Sequence, residues 1–171
     1  MDVLQHAAWK RSMMKTEMKD SAGVRIPPPV FFFICLGAGL WLESVFPDTA
    51  KRMPLMFRLI PGLVLTVLSG GLAVMAVWAL LRNKTTFDTM ASTVRIVQNG
   101  VFRFSRNPMY LSLLLLLSGI AVWRWSMGLL VTVPVLYTMI LFLAIKPEER
   151  YLNGKFGKEY TDYAAKVRRW I

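Results

Sequence analysis

Apolar residues gather along this chain into four blocks separated by polar, mostly basic stretches. The first block runs from Val30 to Phe46, opened by Pro27, Pro28 and Pro29 and closed by Pro47. The second covers about Leu59 to Leu81, the third Met109 to Trp123 and the fourth Ser126 to Ile145. Proline suits the first turn of a helix and stops a helix from continuing. Crossing a bilayer takes about 20 apolar residues, with a range of roughly 17–25. The second and fourth blocks meet that length, the first is at its lower limit, and the third is short. A short third span puts the polar stretch before it at headgroup depth. Arg124, between Trp123 and Trp125, marks the turn between the third and fourth blocks, and tryptophans beside a basic residue suit an interface. The pattern predicts an all-α integral membrane protein with about four transmembrane helices. It forms one domain over residues 1–171, with a helical hairpin at 109–145 and a C-terminal cytoplasmic helix.

Composition agrees: 55% of the 171 residues are hydrophobic and the mean hydropathy is +0.44, more apolar than soluble domains usually are. The net charge is +11. In a membrane protein this points to lipid headgroups as partners before nucleic acid. Its placement orients the chain. Of the 21 Lys and Arg, 17 fall in residues 1–29, 82–108 and 146–171, and four in the two intervening polar regions. The positive-inside rule then places both termini on the cytoplasmic side of a multi-pass protein. No cleavable signal peptide is read at the start. Residues 1–25 form either a basic tail or an interfacial helix. One cysteine, Cys35, and one histidine, His6, offer neither a disulfide framework nor a metal cluster. Small residues at Ser69, Gly70, Gly71 and Ala73, and at Gly37 and Gly39, suit close helix approach within the monomer. The oligomeric state is left open.

Two polar stretches carry the candidate chemistry. Residues 84–108 form a long connection ending in Asn107-Pro108, a helix-start signal. A helix N-terminus offers free backbone N–H groups to ligand oxygens, and Arg103 and Arg106 lie just before this one. The second stretch follows Lys146-Pro147 and opens with Glu148 and Glu149. Pro147 is a place for a new helix to start, with the acids complementing its dipole; the same carboxylates suit a cationic group such as an amine or a sulfonium. Beyond them Tyr151, Phe156, Tyr160, Tyr163 and Trp170 recur along an amphipathic stretch, the pattern of packing or interface residues. About forty residues separate the two polar stretches, and a hairpin of that length returns the chain to the side it left, so both meet at one mouth. There is no phosphate-binding glycine loop and no βαβ pattern.

The series Ser92-Thr93, Val97-Gln-Asn-Gly100, Phe102-Arg-Phe-Ser-Arg-Asn-Pro-Met-Tyr-Leu111, then Glu148-Glu-Arg-Tyr-Leu152, Phe156-Gly157, Glu159-Tyr160 and Tyr163 resembles the isoprenylcysteine carboxyl methyltransferase family. That family lies within a wider group that includes phospholipid methyltransferases. The resemblance extends from Gly23 through the Pro27–Pro29 lead to the end of the series. It implies a membrane-embedded enzyme with S-adenosylmethionine as cofactor, bound at the cytoplasmic face. By the same resemblance, the cofactor-binding positions are Val94, Arg95, Ile96, Val97, Phe102, Asn107, Pro108, Met109, Tyr110 and Glu148, with Glu149 beside it. Residues 84–108 would then be a cofactor loop and residues 146–171 a segment capping the cofactor.

Two positions depart from the family pattern. Asn107 stands where the family has the histidine of Arg-His-Pro, and asparagine takes no proton at neutral pH. Ala144 stands where the prenylcysteine enzymes have an arginine suited to a substrate carboxylate; the nearest base is Lys146. Arg106 and Lys146 are therefore the candidates for anchoring an anionic group of an amphipathic or lipid-like acceptor: an isoprenylcysteine-type carboxylate, a thiol or a phospholipid. The alternative is a membrane scaffold or small-molecule binder that keeps the fold without catalysis. A transporter would call for ionisable residues inside the spans, and only Glu43, near the end of the first, comes close.

Overall fold

The computed structural model describes residues 26–46, 54–83 and 96–171. The expected tail or interfacial helix over 1–25, residues 84–95 of the polar connection, and with them Val94 and Arg95, lie outside the described residues. The elements are α1 (Pro28–Val45), α2 (Leu55–Arg82), a 3-10 turn (Gly100–Arg103), α3 (Pro108–Arg124), α4 (Met127–Ile140), a π turn (Leu141–Ile145), α5 (Lys146–Phe156) and α6 (Lys158–Lys166). Among the described residues there is no strand. Among the described residues three helices are long and apolar enough to cross a membrane: α1, α2, and the continuous run Met127–Phe156; α3 is apolar but has 17 residues, about 25 Å at 1.5 Å per residue.

The four apolar blocks become these helices for local reasons. Pro28 and Pro108 occupy the first turns of α1 and α3, where a missing N–H loses nothing. Ser126 caps α4 by accepting a bond from the Leu129 N–H at 3.2 Å. Trp125, left-handed at φ 53°, ends α3 and makes the reversal tight.

The α3–α4 hairpin is the centre of the bundle. Its α3 packs most extensively on α2, and its α4 on α1. Glycine permits the closest approaches. A Cβ on Gly62 would stand 2.7 Å from Trp123 Cβ, and one on Gly119 would stand 2.6 Å from the Thr66 hydroxyl. On the other seam Gly39 lies against the Leu129 backbone, and Gly128 against the Gly39 carbonyl. The core between them includes Phe31, Leu117, Leu129, Leu136 and Ile140. Outward positions such as Phe33, Trp41, Leu63, Val67 and Val131 are exposed and apolar, the surface a lipid environment would cover. The expected use of small residues within the monomer holds for Ser69, whose hydroxyl donates to the Ser112 carbonyl at 2.7 Å, and for Gly39. Gly37, Gly70 and Gly71 have nothing within 4 Å of their Cβ positions and face outward.

Two expectations about the end of the chain are corrected. Pro147 stands in the first turn of α5 with Glu148 and Glu149, as expected, but α5 is not a new helix separate from the span before it. The fourth span runs into α5 through the π turn, in which the Lys146 N–H reaches back to the Leu141 carbonyl. A proline cannot donate to the carbonyl four residues back and its ring crowds that carbonyl; a widened turn just before Pro147 relieves both. The amphipathic stretch beyond is two helices. Gly157, at φ 51° and ψ −117°, breaks it between α5 and α6, a conformation that glycine alone adopts readily. After α6, Val167 is extended and the chain runs back across the bundle mouth.

Candidate active site at the polar mouth

The start of α3 and the end of the fourth span lie side by side, so the two polar stretches meet as expected. Tyr110, on the first turn of α3, donates its hydroxyl to Glu148 Oε2 at 2.8 Å. Tyr110 is buried and Glu148 half-buried. Among the described residues, the recorded partner of Glu148 is this neutral phenol.

Glu149 is differently placed. Arg169 grips it with two charge-assisted bonds, Nε to Oε1 at 2.9 Å and Nη2 to Oε2 at 2.8 Å. Arg106 adds a third contact, Nη1 to Oε1 at 3.3 Å. The same Arg106 nitrogen donates to the Tyr160 hydroxyl at 3.1 Å. Burial pushes the Tyr160 phenol up from its ordinary range, with the Glu149 charge adding to this and Arg106 opposing it. It therefore stays protonated at neutral pH. Burial raises the Tyr163 phenol too; its hydroxyl donates to the Phe102 carbonyl at 2.8 Å and fastens α6 to the 3-10 turn. Hydrogen bonding to Glu149 raises the Arg169 guanidinium further above its usual value.

Asn107 sits at the N-cap of α3, yet its side chain does not cap the helix. Its Nδ2 donates to the Arg169 carbonyl at 2.9 Å, and its backbone N–H donates to the Ser105 hydroxyl at 3.1 Å. The first-turn N–H groups of α3 therefore have no side-chain cap.

Arg106 and Lys146 come together: both line an open cleft of about 370 Å³, with Glu149, Arg150, Asn153, Tyr160 and Arg169 on the same walls. The Lys146 ammonium lies 3.9 Å from the centre of the Phe142 ring. Ala144 is fully buried in the core and does not line the cleft. The other expected positions split into two apolar groups. Val97 is buried on Ala79 and Leu80, with Phe102 and Met109 packed against them. Ile96 is buried with Tyr160 and Tyr163. Pro108 is buried at the first position of α3, and Arg103 is exposed.

Two contributors, Arg169 and Asn83, were not singled out from the sequence, and Tyr160 was read there only as a packing or interface aromatic and as part of the family resemblance. Arg169 and Tyr160 meet their partners only through the fold, 20 and 54 residues away along the chain. Asn83 closes α2 by donating to the Ala79 carbonyl at 2.7 Å and also donates to Asn99 Oδ1 at 3.1 Å, fixing the residue before the 3-10 turn. The Asn99-Gly100 pair and an asparagine just past an apolar block were the available signals.

The family model for phospholipid methyltransferases matches residues 57–159, a stretch that holds α3, the fourth span, Tyr110 and both glutamates. The chain belongs to the phospholipid methyltransferase family. A Haemophilus influenzae Rd protein described only as uncharacterized is 43% identical over 63 residues, which cover 37% of this chain and all of that protein. Family membership makes this a membrane methyltransferase in general terms, in keeping with its apolar helices. The match ends within α6, so Arg169 lies beyond the residues by which the phospholipid methyltransferase family is matched.

Proposed function

We propose that this chain transfers a methyl group from S-adenosylmethionine to an amphipathic or lipid-like acceptor at the cytoplasmic face of a membrane. The observation that carries the reading is the Tyr110–Glu148 bond, which joins the two halves of the motif across 38 residues of chain. The distribution of Lys and Arg supports the cytoplasmic placement of this mouth and of both termini.

The residues present fit the cofactor. Glu148 is a carboxylate whose described partner is neutral, suited to a cationic group. The α3 N-terminus offers uncapped N–H groups. When bound, S-adenosylmethionine supplies an electrophilic methyl group on a sulfonium centre. The chain's task is to position and desolvate. Glu148 and the α3 N-terminus hold the cofactor's polar groups, with Val97, Phe102 and Met109 as apolar packing; Ile96, Pro108 and Tyr110 shape the wall around them. Val94 and Arg95 belong to the same proposed set. Glu149, although adjacent, acts through the arginines it binds. Arg106 and Lys146 hold an anionic group of the acceptor in the cleft, while its apolar tail stays in the bilayer beside the helices. Asn107 takes no proton, so the fitting acceptors are those already ionised, a thiolate or a carboxylate, or those that release their proton directly to water.

One pair of observations favours the second reading, a binder without catalysis: the Asn107 amide is engaged by the Arg169 carbonyl, and Ala144 is buried away from the cleft. Calorimetric titration of S-adenosylmethionine into nanodisc-held protein separates the readings, beside a Glu148→Lys variant and followed by a methyl-transfer assay on lipid, thiol and carboxylate acceptors. Methyl transfer is expected from wild type, and loss of cofactor binding in the variant. Saturable binding with no transfer to any acceptor would leave the binder, and undiminished binding in the variant would remove Glu148 from the site.

A further inference from the structure

We propose that Arg169 is a positioning residue of this site. Through Glu149 and its own backbone it holds the 105–107 turn in place, and it neutralises one of two adjacent acids, leaving Glu148 as the carboxylate for a cationic ligand. The ligand in this inference rests on the methyltransferase reading; the geometry does not.

Three kinds of contact hold the strap formed by residues 167–170. Its backbone accepts from the turn before α3: the Arg106 N–H donates to the Arg168 carbonyl at 3.1 Å, and Asn107 Nδ2 and the Ser105 hydroxyl donate to the Arg169 carbonyl at 2.9 and 3.4 Å. Its guanidinium grips Glu149 at both oxygens. Its indole, Trp170, lies 5.3 Å from the Tyr137 ring on α4. One residue thus ties three elements, with a carbonyl on the α3 turn, a side chain on α5 and a neighbour against α4.

The electrostatic consequence concerns the acid pair. Two neighbouring carboxylates would compete for one cation, and each would raise the cost of charging the other. With Arg169 and Arg106 both on Glu149, that acid is balanced by fixed partners. Glu148, one residue earlier and bonded to a phenol, has no such cationic partner among the described residues. A cationic ligand is therefore directed to one carboxylate.

The test uses the full chain in nanodiscs, as wild type, Arg169→Gln, Arg169→Lys, Glu149→Gln and the Glu149→Gln/Arg169→Gln double variant. Two readouts are taken: hydrogen exchange of the peptide spanning residues 102–111, and the dissociation constant for S-adenosylmethionine by calorimetry. In Arg169→Gln, exchange at residues 105–107 should rise and affinity should fall about tenfold, the size of one charge-assisted hydrogen bond. Arg169→Lys, which keeps the charge without the fork, should fall between. Added to Glu149→Gln, Arg169→Gln should change affinity little further, because the route through Glu149 is already cut. If Arg169→Gln does not fold, the lysine variant carries the same comparison. Unchanged exchange and affinity in Arg169→Gln or Arg169→Lys would overturn the proposal, as would an equal loss of affinity with and without Glu149. Exchange that responds as stated in a protein that never binds the cofactor would uphold the positioning of the turn and remove the methyltransferase reading instead.

Discussion

The two ends of the bundle each carry an arginine fork on a glutamate, and the two forks serve different ends. At the α3–α4 turn Arg124 holds Glu43 of α1 through Nε at 3.1 Å and Nη2 at 2.9 Å. That arginine is half in the open, with 47% of its side chain exposed, and the pair clips α1 to α3. At the polar mouth the forking arginine, Arg169, is 37% exposed and Glu149 18%, but a second arginine, Arg106, only 14% exposed, joins them, and backbone carbonyls, a phenol and a cleft surround them. An exposed pair is screened and contributes little. A half-buried one is screened less and constrains its neighbours more. The forks have the same chemistry and similar exposure; a second, more buried arginine and the number of partners make one a clip and the other the frame of a site.

Substitution at each end should separate them. Glu149→Ala leaves two guanidinium groups facing each other without their acid. It should lower stability by about 2 kcal/mol, read as a fall in the thermal midpoint in detergent, and weaken cofactor binding as well. At the opposite end the backbone packing should matter more than the ion pair. Gly62→Ala forces a methyl group against Trp123 and should cost about 1–2 kcal/mol, whereas Gly70→Ala, with open space around it, should be close to neutral. Arg124→Ala should cost less than about 1 kcal/mol, shrink further at high salt, and leave cofactor binding unchanged. An Arg124→Ala loss as large as that of Glu149→Ala would erase the distinction.

The spans were legible because their signal is local and repeated: every block of apolar residues became a helix, and the block ends moved by only a few residues except at the end of the fourth, whose helix runs on to Phe156. The meeting of Tyr110 with Glu148 was legible at the level of topology, since a hairpin must return its ends to one side. What followed Pro147 was not. Proline after an apolar block reads as a helix start, and only packing reveals that a widened turn carries the span through it. Gly157 sits inside an amphipathic rhythm that continues on both sides, so the break it makes is invisible to periodicity. The fate of the acid pair was hidden for a related reason. Glu148 and Glu149 are equivalent as neighbours in sequence, and what distinguishes them is an arginine brought back by a turn and a strap. Small residues gave a similar ambiguity: composition marks Gly39 and Gly70 alike, and only the helix face decides that one meets Leu129 and the other does not.

The π turn at Leu141–Ile145 has a bearing on how such a site is gained or lost. An α-helix turns about 100° with each residue, and a π turn accommodates one residue more than a regular turn. The azimuth of everything downstream, Lys146 and both glutamates included, is therefore set by that surplus residue. Removing it would leave the span apolar and long enough to cross, with its proline and its acids intact, and would swing the carboxylates about a quarter-turn away from Tyr110. A single-codon deletion in the least polar part of the chain could thus silence the polar mouth while sparing every residue that forms it.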